Sequence, residues 1–130
     1  MENPNLFQTF SKGHLALPNS TVEFNMLQWH AHKQFKGVSL KHIITSEQTD
    51  GLFSYHLVKI EPFMKIGMHI HESQLETHEI ISGTGICLNQ TTQISYAPGV
   101  ISIFNKGEQH EVTADADGLY LFAKFIPALV

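Results

Sequence analysis

The stretch "GMHIHESQLETHEIISG", residues 67–83, holds three histidines and three glutamates. His69 and His71 flank one apolar residue, Ile70; Glu76 follows, and His78 comes two positions later. On a helix, residues i and i+2 do not face each other. On a strand they share a face, about 6.6–6.8 Å apart along the chain. The setting of His69 and His71 reads as a strand, so both imidazoles aim at one interior. "ESQL" is a polar, turn-like segment, and "ETHEIIS" reads as the returning strand. Glu76 is then expected to face the two histidines across a hairpin. That places two nitrogens and one oxygen around a point, and a fourth ligand must come from elsewhere.

Working outward, short β-rich runs alternate with turn signals along most of the chain. They include "VEFNMLQW", "GVSLKHII", "LFSYHLVKIE", "GICLN", "QISYA", "GVISIF", "HEVTA" and "GLYLFAKF". Separators such as "TDG", "SGTG", "APG", "NKGE" and "DADG" are rich in turn residues. No window sustains a helical apolar period. Roughly ten short strands at near-regular spacing indicate an all-β sandwich or barrel. Residues 1–20 carry Gly13, Pro4 and Pro18 with little periodicity, and read as an irregular arm. Residues 21–130 read as a single β domain, a size consistent with one core.

The fourth ligand is offered by "YAPGVISIFNKGEQHEV", residues 96–112, where Gly99 and Gly107 mark turns and His110 opens a strand. Together the two stretches resemble the paired motifs of the cupin superfamily. G-x-H-x-H-x4-E-x6-G runs from Gly67 through His69, His71 and Glu76 to Gly83; G-x7-G-x2-H runs from Gly99 through Gly107 to His110. The second motif departs at Asn105, where a proline is usual, and at Ala114, where an asparagine is usual. Neither position is a metal ligand in that family. The resemblance implies a jelly-roll (double-stranded β-helix) barrel of about six to eight strands, commonly a homodimer. It also implies one divalent transition metal on His69, His71, Glu76 and His110. Three imidazoles and a carboxylate suit Fe, Mn, Ni, Co, Cu or Zn, and affinity alone does not select among them.

Composition narrows the function classes. Net charge is −4 with scattered lysines, so the basic footprint that nucleic-acid binding needs is missing. No apolar run reaches membrane-spanning length. The start "MENPNLFQTFSKG" has no signal-peptide pattern. The one cysteine, Cys87, excludes an internal disulfide and reads as a small buried hydrophobe, which points to a reducing, cytoplasmic setting. There is no arginine among the eight cations. Without that clamp for carboxylates and phosphates, the expected substrate is neutral or chelates a metal itself.

His78 shares the Glu76 face, so it is expected near the metal as a proton-handling catalytic residue, a substrate contact or a fifth ligand. In "SYHLVK", Ser54, His56, Val58 and Ile60 fall on one side and Lys59 on the other. His56 is therefore expected to point inward, towards a substrate pocket. "WHAHK", residues 29–33, is a second His-x-His, but no carboxylate follows at the needed distance. It reads as a strand end, with Trp29 a packing anchor. Lys124, Glu72 and Glu79 read as solvated. The family resemblance implies first a metal-dependent enzyme, with a dioxygenase-like oxidoreductase the leading class and an isomerase or lyase beside it. The alternatives are a sugar- or effector-binding sensor module and a metal-bound structural barrel.

Overall fold

The computed structural model describes residues 6–130. Its elements are α1 (Leu6–Ser11), β1 (His14–Leu17), β2 (Ser20–Glu23), a 3-10 turn (Phe24–Met26), β3 (His30–Ala31), β4 (Val38–Ile44), α2 (Ser46–Thr49) and β5 (Ser54–Ile60). Then follow β6 (Lys65–His69), β7 (Leu75–Asn89), β8 (Gln93–Tyr96), β9 (Ile101–Phe104) and β10 (His110–Ile126). β1 and β2 form a separate hairpin. The other eight strands form one antiparallel sheet in the order β3-β4-β5-β10-β7-β8, with β6 added on β10 and β9 on β7.

Two long strands are the spine of the barrel. β10 pairs with β6 at its start, with β5 at its end and with β7 along most of its length. The sequence reading divided each of these strands in two, at "SGTG" and "DADG". Those residues bend the strands without ending them. The β7–β10 register shifts between Ala114 and Leu119. There Gly83 adopts φ +82°, and a Cβ on it would land on the carbonyl oxygen of Gly118. Only glycine permits that backbone approach.

Alternation sorts the side chains into two cores. Val58, Ile60, Leu119, Leu121, Ala123 and Phe125 point into the barrel with Val112, Cys87, Tyr96 and Phe104. The opposite face of the same strands supplies Ile43, Leu57, Ile81 and Phe122, covered by Phe24 and by Phe7, Leu15 and Trp29. Leu57 and Val58 are adjacent yet both buried, because the sheet is covered on both faces here. Cys87 is buried, and Trp29 packs as an anchor with the ammonium groups of Lys41 and Lys59 each 4.8 Å from its ring centroid.

The N-terminal segment differs from the sequence reading. Of the expected irregular arm 1–20, residues 1–5 lie outside the described part, and the rest contains α1 and the β1 strand of a hairpin. "VEFNMLQW" is not one strand: β2 ends at Glu23 and a 3-10 turn follows. α2 was not anticipated. It is a single turn held by a capping box, in which the Thr45 hydroxyl accepts from Glu47 N–H and Gln48 Oε1 accepts from Thr45 N–H. Among the described residues no helix is long and apolar enough to cross a membrane.

Candidate metal centre

His69 ends β6, and His71 follows two residues later, just beyond the strand; their ring centroids are 5.0 Å apart and both line the interior cavity. His110 begins β10 and sits directly opposite His69 in the β6–β10 ladder. Glu76 arrives differently from the expected hairpin. β6 and β7 form no ladder with each other; β6 pairs with β10, and Glu76 lies on β7 between Phe104 and Phe125. Residues 70–74 link the two strands, and the buried Glu76 carboxylate meets the imidazoles inside the barrel. Gly107 N–H donates to the His71 carbonyl at 3.0 Å, which ties the turn before His110 to the first cluster.

One ligand atom from each of His69, His71, Glu76 and His110 lies within 4.8 Å of the others. Glu76 Oε1 is 2.8 Å from His110 Nε2 and 3.6 Å from His71 Nε2. The contact with His110 does not have hydrogen-bond geometry. Glu76 Oε1 and His110 Nε2 are both buried without a hydrogen-bond partner. Orphaned buried polar atoms are costly and call for a missing partner. A cation between them satisfies both, so the donor set fits a divalent metal.

The surrounding hydrogen bonds prepare the donors. His69 Nδ1–H donates to the Gly67 carbonyl at 2.7 Å, and His110 Nδ1 lies 3.3 Å from the Glu108 carbonyl. These contacts leave each Nε2 lone pair for an ion. Burial pushes His69 down to about 4, against the opposing pull of the Gly67 hydrogen bond. Burial lowers His71 too, with Glu76 working the other way. Burial pushes the Glu76 carboxyl up, but the imidazoles of His78 and His110 outweigh it and hold the group well below its ordinary range. His69, His71 and Glu76 are therefore deprotonated and ready for a cation at neutral pH.

His78 is buried beside Glu76, with both ring nitrogens engaged. Nε2 lies 2.9 Å from Glu76 Oε2 and Nδ1 lies 2.9 Å from the Tyr96 hydroxyl, which in turn contacts Ser102 Oγ at 2.5 Å. Burial pushes the Tyr96 phenol well up, so it keeps its proton and can donate to Nδ1. In that pattern His78 Nε2–H donates to the carboxylate, and the nitrogen a fifth ligand would need is already used.

The cluster opens on a cavity of about 60 Å³, walled by Leu40, Val58, Ile66, Leu121, Phe125 and Leu129, and by His32. His78 lines it; His56 does not. His56 points inward as expected but lies behind Phe125, with ring centroids 5.5 Å apart. It is fully occupied there: Nε2 with Ser54 Oγ and Nδ1 with His42 Nδ1, each at 2.8 Å. His32, from the set-aside "WHAHK", takes the wall position instead. The sequence reading also missed Tyr96 and Ser102. Their shared face at i and i+6 crosses a turn, so alternation could not link them.

The sequence matches no family model and no curated protein. Solved structures do match. A cupin-2 domain protein from Rhodospirillum rubrum superposes with TM-score 0.72 at 13% identity, over 82% of this chain and 74% of that one. KdgF from a Halomonas species gives 0.70 at 14% identity, over 79% and 90%. A predicted oxalate decarboxylase from Thermotoga maritima gives 0.69 at 21% identity, over 78% and 91%. At these identities the likeness is one of fold alone: the superpositions give the cupin fold that the two motifs imply, and the geometry of this chain separately brings His69, His71, Glu76 and His110 close enough to hold a metal ion.

Proposed function

We propose that the protein is a metal-dependent enzyme acting on a small organic molecule that is neutral or chelates the metal itself. The supporting observation is the buried Glu76 Oε1 and His110 Nε2, 2.8 Å apart yet without a hydrogen bond, joined to a hydrogen-bonded path through His78. His69, His71, Glu76 and His110 hold one divalent ion. That ion supplies Lewis acidity or, as iron, reactivity towards O2.

The chain supplies the rest. His78 fixes Oε2 of Glu76 and is the proton-handling residue: it can hand its Nε2 proton to Glu76 while Nδ1 takes one from Tyr96, whose hydroxyl is hydrogen-bonded in turn to Ser102. Leu40, Val58, Leu121 and Phe125 keep the cavity dry, which strengthens every charge interaction inside it. A sensor module needs the ion site and the pocket but not this path, so the path favours catalysis. Within catalysis, dioxygenase-like oxidation is the first class to assay and isomerase or lyase chemistry the second.

We place the protein in the cytoplasm, supported by its single buried cysteine, and as a homodimer, supported by the exposed Ile101 and Ile103 on the outer face of β9. Elemental analysis of protein purified without oxygen, beside His69→Ala, tests the metal. About one equivalent, lost in the variant, is the expected result. O2 uptake across a panel of small chelating substrates then tests the leading class. Loaded protein that binds such compounds and changes none of them would return the sensor reading.

A further inference from the structure

Residues 30–35 turn back on themselves at the wall of the metal cavity. His32 N–H donates to the Val38 carbonyl at 2.8 Å, which closes the turn on β4. The His32 ring is used by its own loop: Nδ1 accepts from Gln34 N–H at 3.1 Å and from Phe35 N–H at 3.3 Å. A ring nitrogen that accepts two hydrogens carries none, so the neutral ring bears its proton on Nε2. Nε2 lies across the ring, facing away from the turn. No hydrogen bond to it exists among the described residues.

The ring is also held in place. It leans on Phe35 with centroids 4.8 Å apart, and Phe35 leans on His69 at 6.0 Å. His32 lines the same cavity as His69, His71 and Glu76, among walls that are otherwise mostly apolar. The chain has no arginine to orient a ligand there.

Resting on the metal-enzyme reading above, we infer that His32 is the positioning donor of the pocket: its Nε2–H meets a carbonyl-type oxygen of a small metal-chelating molecule held beside the ion. The loop hydrogen bonds fix the direction of that donor before the ligand arrives, so little ordering cost remains at binding.

The test separates the donor from the turn. In His32→Asn the Oδ1 takes the place of Nδ1 and still caps Gln34 N–H, as asparagine does in turns, but nothing replaces Nε2–H. Cobalt(II)-loaded wild type and His32→Asn are titrated with acetohydroxamate and followed by the visible absorption of the ion. The expected result is equal cobalt stoichiometry and acetohydroxamate binding about tenfold weaker in the variant, the size of one hydrogen bond. Nitrogen-15 spectra of the metal-free protein are expected to show His32 as the Nε2–H tautomer. Equal affinities, or an Nδ1–H tautomer, would overturn the inference alone. Loss of cobalt in the variant would make His32 a ligand and overturn it too. A wild type that takes up no cobalt would sink the metal reading and this inference with it.

Discussion

His78 and Glu76 stand two residues apart on one strand, and the imidazole Nε2 lies 2.9 Å from the carboxylate oxygen that does not face the other histidines. The strand period alone produces this contact: i and i+2 share a face, so a residue placed beside the ligand also braces it. Replacing His78 with Phe keeps the ring volume and removes the donor. Ion affinity, measured by competition with a chromophoric chelator, is expected to fall about 10- to 100-fold. His78→Gln, whose amide nitrogen can reach the same oxygen, is expected to recover most of it. Equal losses in the two variants would show that the ring packs and does not brace.

Gly67 is needed for a neighbour and not for a turn. A Cβ built on it would lie 2.8 Å from Phe35 Cε1. Gly67→Ala is expected to cost about 1–3 kcal/mol in urea unfolding. Combining it with Phe35→Leu is expected to return part of that loss, a coupling that residues out of contact do not show. Additive losses would place the strain elsewhere.

Burial pushes His56 down to about 4, with His42 beside it acting in the same direction and Glu76 opposing. An unfolded imidazole titrates near 6.5, so on acidification the unfolded chain takes up the proton first. The stability due to His56 is therefore complete above pH 6.5 and is lost as pH falls from there towards 4. Such a gap corresponds to about 3 kcal/mol. His42, His69 and His71 add slopes of the same sign, so the comparison needed is wild type against His56→Leu. Urea midpoints between pH 7.5 and 4.5 are expected to fall less steeply in the variant; parallel curves would mean that His56 titrates normally.

Ile101 and Ile103 point outward from β9, 69% and 60% exposed, while Ser102 and Phe104 point in. If this face joins two copies, Ile101→Glu with Ile103→Glu is expected to halve the mass seen by light scattering and to leave the far-ultraviolet spectrum unchanged. A wild type that already runs as a monomer would remove the dimer.

The sequence made the ion site legible because its ligands are governed by short-range rules. His69 and His71 obey the strand period, and the two motif spacings name Glu76 and His110. The alternation of Ser54, His56, Val58 and Ile60 was readable for the same reason. Other features depend on distant neighbours. Leu57 is buried only because Phe24 and Trp29 cover its side of the sheet, and nothing in "SYHLVK" reports that cover. The "DADG" run has turn composition, but β10 continues through it because β7 bends alongside at Gly83. His32 was set aside for lacking a nearby carboxylate; its place depends on a loop whose shape is set by the ring's own hydrogen bonds.

β10 pairs with β5, β6 and β7, and its first residue is the fourth ligand. During synthesis, none of those ladders can form until residues 110–126 have left the ribosome. Before then the nascent chain carries three of the donors, on residues 69–76, without the wall that encloses them. Long-range pairing of this kind also folds slowly. The four-donor set is therefore complete only once β10 has docked, and until then no site of this composition exists on the chain.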